Sequence, residues 1–147
     1  MGGLIMKPNL ILMSHGNLAS TLIESAKMIL GDLPKDDYDV IHLHTDNTFA
    51  QIENQLKRLL DKFGNNQILI MTDLYGGTPF NIASKFYRKN DNICLISGMN
   101  LDMVIEYFSS DLDYNISKFI DEIISVSKDS IALYTKNEPE IYADIDI

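Results

Sequence analysis

Three short runs hold the residue types from which a reactive site can be assembled. The first is Ser14-His15-Gly16-Asn17, placed directly after the apolar run Leu10 to Met13 and directly before a helical pattern. Imidazole is the only side chain whose unperturbed pKa lies close to neutrality, so it serves as an uncharged nucleophile or as a base. The second is Thr72-Asp73, which closes the apolar run beginning at Gln67. A carboxylate there can accept a hydrogen bond from one ring nitrogen and fix the tautomer. The other nitrogen's lone pair is then free for a ligand, and positive charge arising on the ring is stabilised. The third is Gly76-Gly77-Thr78, at the start of another helix. Paired glycines let backbone amides approach a ligand, and a helix N-terminus favours an anion. Asn17 to Ala19 offers a second set of amides. A nucleophilic imidazole between two helix N-termini suits a tetrahedral dianion, which points to phosphoryl transfer. His15 is the candidate acceptor and Asp73 its orienter. Gly16, Gly76, Gly77 and Thr78 are the candidate phosphate-binding residues.

These runs need a scaffold that brings strand ends together. Leu10 to Ser14 is short and apolar without alternation, as expected of a strand with helices over both sheet faces. Leu18 to Leu30 carries apolar residues at helical spacing; Gly31 ends it and Pro34 discourages a restart. Tyr38 to His44 reads as a second strand, with Asp46-Asn47-Thr48 as turn and candidate N-cap. Phe49 to Phe63 is an amphipathic helix stopped by Gly64-Asn65-Asn66. Gln67 to Asp73 is the third strand, and the helix after it runs to about Arg88. There Thr78 reads as N-cap, and Pro79 sits in the first turn, where a missing N–H costs nothing. Asn92 to Ser97 is a fourth strand. Helices follow over Asn100 to Ser109 and Ile116 to Ser127, with a polar break at Asp111 to Asn115. Ser130 to Thr135 reads as a last short strand, and the alternating Glu140 to Ile147 resembles an edge strand, in its own sheet or a second subunit's. Strands alternating with helices specify a doubly wound, mostly parallel open α/β sheet. If the first and third strands are neighbours, His15 and Asp73 face each other across the switch point where ligands bind.

Composition narrows the field. The 147 residues fit one domain, and 46% hydrophobic content supports a real core. A net charge of −9 argues against nucleic-acid or anionic-membrane binding, though not against a basic protein partner. The single cysteine, Cys94, reads as a buried core thiol in a reducing cytoplasm. No apolar run reaches membrane-spanning length, and Met1 to Met6 lacks the layout of a signal peptide or a myristoylation signal. His42 and His44 share a strand face, but two histidines fall short of the three or four ligands zinc requires, so no metal site is expected. Tyr75, Met99 and Met103 belong either to a docking surface or to the core. A hydrolase built on Ser14 and His15 is remote, because adjacent strand residues point to opposite faces.

Leu-Met-Ser-His-Gly-Asn-Leu-Ala at 12–19, Thr-Asp-Leu-Tyr-Gly-Gly-Thr-Pro-Phe-Asn-Ile-Ala at 72–83 and Ile-Ser-Gly-Met-Asn-Leu-Asp-Met at 96–103 occur in this order and spacing. Together they resemble the enzyme IIA component of the mannose family of the phosphoenolpyruvate:sugar phosphotransferase system (PTS). The resemblance implies that His15 accepts a phosphoryl group from the phosphocarrier HPr and passes it to a histidine of enzyme IIB. Enzyme IIB in turn phosphorylates sugar entering through the membrane components IIC and IID. It implies that the far ring nitrogen carries the phosphate while Asp73 holds the near one, that Thr78 lies at the phosphate, and that no cofactor is needed. It also implies a homodimer exchanging its last, antiparallel strand, which would be Ser130 to Thr135. The chain departs from the family in a longer start, with 1–8 as leader, and in ending on an extension at 136–147 without a linker to a fused IIB. A free-standing IIA domain is therefore expected. Two other readings use the same fold: a regulatory module whose phosphorylation state is read by a partner, and a IIA-like subunit of a dihydroxyacetone kinase. The Gly-Gly-Thr-Pro-Phe run favours the sugar-transport branch.

Overall fold

In the computed structural model, which describes residues 6–111 and 115–139, the strands are β1 (Asn9–His15), β2 (Tyr38–Leu43), β3 (Ile68–Thr72) and β4 (Ile93–Ile96). The helices are α1 (Leu18–Leu30), α2 (Phe49–Phe63), α3 (Thr78–Tyr87), α4 (Leu101–Ser109) and α5 (Ile116–Asp129). The four-stranded sheet has the order β2-β1-β3-β4, and all its pairings are parallel. The reversal of strand order falls between β1 and β3, as the sequence requires if His15 and Asp73 are to meet.

The apolar runs of β1 and β3 are continuous because both faces of the sheet are covered. Leu10, Leu12, Leu69 and Met71 pack against Ala19, Ile23, Val104, Tyr107, Phe119 and Ile123 of α1, α4 and α5. Ile11, Met13 and Ile70 pack on the opposite face against Ile52, Leu56, Ile82 and Ala83 of α2 and α3. Burial of such side chains contributes roughly 1.5–3 kcal/mol each, which fixes strand register as well as stability. Thr48 caps α2 by accepting from the Gln51 amide, and the Gln51 side chain accepts from the Thr48 amide in return.

Several expectations are corrected. Gly77, extended at φ −70° and ψ 168°, is the N-cap of α3, so Thr78 is the first helical residue rather than the cap. Ser130 to Thr135 forms no strand with its own sheet, which has no antiparallel member among the described residues, whereas an exchanged strand would pair only with a second subunit's sheet. Ile131, Leu133 and Tyr134 are instead 82%, 85% and 66% exposed. An apolar run needs a facing strand to become a ladder, and β4 is bonded only to β3. Cys94 is half-buried, not sealed in the core. The alternating stretch 140–147 lies outside the described residues. No described helix is long and apolar enough to cross a membrane.

Candidate functional site

The site begins at the C-terminal end of β1, where consecutive side chains leave the strand on opposite sides. Ser14 points toward α1 and is fully buried. Its hydroxyl accepts from the Ala19 amide at 2.9 Å and donates to the Gly16 carbonyl at 3.2 Å, tying the strand end to the first turn of α1. His15 points the other way. Gly16 makes the turn at φ 56°, and its amide donates to the Leu43 carbonyl at 2.8 Å.

Asp73 is the first residue past β3. Its Oδ2 accepts from the His15 main-chain amide at 2.8 Å and lies 2.9 Å from His15 Nδ1, while its Oδ1 accepts from the Leu74 amide at 2.8 Å. An ionised carboxylate has only acceptors, so in a neutral imidazole at this contact Nδ1 carries the proton and Nε2 keeps its lone pair. The Asp73 side chain is 11% exposed and that of His15 46%, so the orienting group is sheltered while the ring is open to a partner.

The loop from Leu74 to Gly77 is held by its own backbone. The Gly77 amide donates to the Leu74 carbonyl at 3.0 Å, and Asn81 Nδ2 donates to the Gly76 carbonyl at 2.9 Å. Gly76 turns at φ 78°. Thr78 opens α3, and first-turn amides have no acceptor inside their own helix. An open cavity of about 500 Å³ adjoins the imidazole and is lined by His15, Gly16, Phe49 and Thr78, among others. Lys85 Nζ stacks over the Phe49 ring at 4.4 Å and pairs with Glu53 at 2.7 Å, which fixes that wall.

The predicted residues thus converge, with different parts. His15, Gly16 and Thr78 border one cavity, Asp73 bonds His15 Nδ1, and Gly77 stands beside His15 Cε1. The amides of Gly16 and Gly77 are engaged in backbone bonds, whereas Thr78 brings an amide at a helix start. The place of Phe49 in the cavity wall and the part Ser14 plays in tying β1 to α1 are not apparent from the sequence. Their only sequence signal was position, one after a candidate cap and one at the end of the strand that carries His15. Met99 and Met103 are buried, whereas Leu74 and Tyr75 are 60% and 77% exposed beside the site. The rings of His42 and His44 lie 5.9 Å apart on the edge strand and the turn after it. His42 Nε2 is enclosed without a hydrogen-bond partner among the described residues, and desolvation, then His44, lowers the His42 pKa. Burial pushes the Cys94 thiol up.

The family model described as "PTS system fructose IIA component" matches residues 9–124. The chain is similar to the sorbose-specific EIIA component of Lacticaseibacillus casei, with 22% identity over 120 residues that span 82% of this chain and 86% of that one. Similarity to the mannose-specific EIIAB component of Escherichia coli K12 is 27% over 97 residues, or 66% of this chain and 30% of that protein. The mannose/sorbose-specific IIA subunit from Enterococcus faecalis superposes with a TM-score of 0.79 at 30% identity, covering 92% of this chain and 99% of that one. The matched stretch takes in all of the sheet and both strand ends that meet at His15, and the chain accordingly belongs to the EIIA-man family of PTS IIA components, phosphotransferases that pass a phosphoryl group by way of a histidine.

Proposed function

We propose that His15 is the phosphoryl acceptor of this chain and that Asp73 orients it. The observation that carries this reading is the 2.9 Å contact between His15 Nδ1 and Asp73 Oδ2 at the ends of adjacent parallel strands. It leaves Nε2 unprotonated on a half-open ring. In the forward step the Nε2 lone pair attacks phosphorus, the N–P bond of phospho-HPr breaks in line, and HPr leaves with the electron pair. Positive charge developing on the ring is met by Asp73. The first-turn amides of α3 and the Thr78 hydroxyl, beside the cavity that adjoins the ring, receive the phosphoryl oxygens in this reading. Gly76 lets the loop turn close to them, and Gly16 forms the adjoining cavity wall. In the second step a histidine of enzyme IIB attacks the same phosphorus and His15 returns to neutral imidazole.

The chain acts in the cytoplasm as a PTS IIA domain, with IIC and IID reached only through IIB. Its exposed Ile131, Leu133 and Tyr134 support a homodimer in which 130–135 is the exchanged strand. Incubation with phosphoenolpyruvate, enzyme I and HPr, followed by intact-mass and peptide mapping, tests the central assignment. One acid-labile phosphoryl group on His15, lost in His15→Ala, is expected. An unmodified chain beside a functioning HPr control, or an adduct on another residue, overturns it.

A further inference from the structure

Gly77 is a glycine for which neither the backbone nor an anion gives a reason. Its φ of −70° and ψ of 168° are open to any residue, unlike Gly76 at φ 78°. Its amide already donates to the Leu74 carbonyl at 3.0 Å, so it is no free donor for phosphate. What the position lacks is room. A Cβ at residue 77 would stand 2.9 Å from His15 Cε1, 3.2 Å from the Leu74 carbonyl oxygen and 3.4 Å from Leu74 Cβ. It would be wedged between the imidazole on one side and backbone on the other.

Cε1 is the ring carbon between Nδ1 and Nε2, and Nδ1 is held by Asp73. A push on Cε1 therefore moves both nitrogens, drawing one from its carboxylate and turning the other from its line of attack. We propose that Gly77 is a positioning residue for His15: by presenting a bare Cα it leaves the imidazole room to keep its contact with Asp73, which sets the ring's tautomer and the direction of Nε2. The role rests on His15 being the acceptor, and it is distinct from phosphate binding or helix capping.

The test uses Gly77→Ala and Gly77→Ser in the full chain. Serine caps a helix at least as well as glycine but carries a Cβ, so it separates capping from crowding. In alkaline buffer, the ring ¹⁵N spectrum of the native chain shows the Nδ1–H form of His15. Both variants lose that single form, and transfer from phospho-HPr falls on the order of 10²-fold, as for a misplacement of about 1 Å. A native ring spectrum in either variant, or recovery by serine alone, refutes the proposal. So does lost transfer with an unchanged spectrum, which would put residue 77 in contact with phosphate or partner. If a variant folds poorly, a double-mutant cycle in stability decides: Gly77→Ala is expected to destabilise the native chain more than the His15→Ala chain, and additivity refutes crowding. The spectrum and the cycle read the contact even if His15 proves not to accept phosphate.

Discussion

Asp73 Oδ2 accepts twice from the same residue, from the His15 main-chain amide at 2.8 Å and from the ring's Nδ1 at 2.9 Å. One oxygen thereby fixes both the strand end and the side chain it bears. Two adjacent strands of a parallel sheet hold the pair in register, with Met13 opposite Thr72, so the contact is built into the framework.

Asp73→Asn keeps an acceptor oxygen but removes the charge that answers the developing imidazolium. Transfer from phospho-HPr, followed by rapid quench, is expected to fall roughly 10²–10⁴-fold with the fold intact. A rate within a factor of about 2 of native would remove Asp73 from the mechanism.

Ser14→Ala should act on stability. Ser14 is buried, and without its oxygen the buried Ala19 amide loses its acceptor. The expected cost is about 1–3 kcal/mol, seen as a melting temperature lower by roughly 2–4 °C per kcal/mol. An unchanged melting curve would show that the bond between Ser14 and the Ala19 amide is dispensable.

Much of this was legible in the residues. The continuous apolar runs of β1 and β3 announced a sheet covered on both faces, and Gly31 and Gly64 marked helix ends. His15 and Asp73 were readable because a titratable group after a buried strand is unusual and two such strands make a crevice. The second bond of Asp73 was not readable, since main-chain donors leave no signature in side-chain chemistry. Gly-Thr-Pro offers two capping residues in succession, so the sequence favours Thr78 as the cap, and only the extended backbone of Gly77 decides between them. At Ser130 to Thr135 an apolar run indicates an extended segment but not the strand it pairs with; the single chain offers it none, and an exchanged strand would pair with a second subunit's sheet.

Acid should weaken the fold partly through His42. Desolvation of its ring, with His44 nearby, holds its pKa below the ordinary value, so the unfolded chain binds the proton at a higher pH than the folded one. Stability from this residue is complete above about pH 6.5 and is lost as the pH falls toward the lowered folded value, where the loss levels off. Urea titrations of native chain and His42→Gln, taken from about pH 7.5 to about pH 5, should show a shallower acid decline in the variant. Parallel declines would count against it.

The exposed Ile131, Leu133 and Tyr134 predict association. Sedimentation velocity should give a dimer for the native chain and a monomer when all three are replaced by serine. A native monomer, or a variant that still dimerises, would end the strand-exchange reading.

Because Asp73 is also anchored by the amides of residue 15 and Leu74, its seat does not depend on the imidazole it serves. In His15→Ala both amides remain, so the carboxylate still faces a gap the width of one ring, bordered by the bare Cα of Gly77. Free imidazole has the size and the N–H donor for that gap. The architecture separates holder from reagent, and in His15→Ala imidazole supplied in solution is expected to occupy the place of the missing side chain.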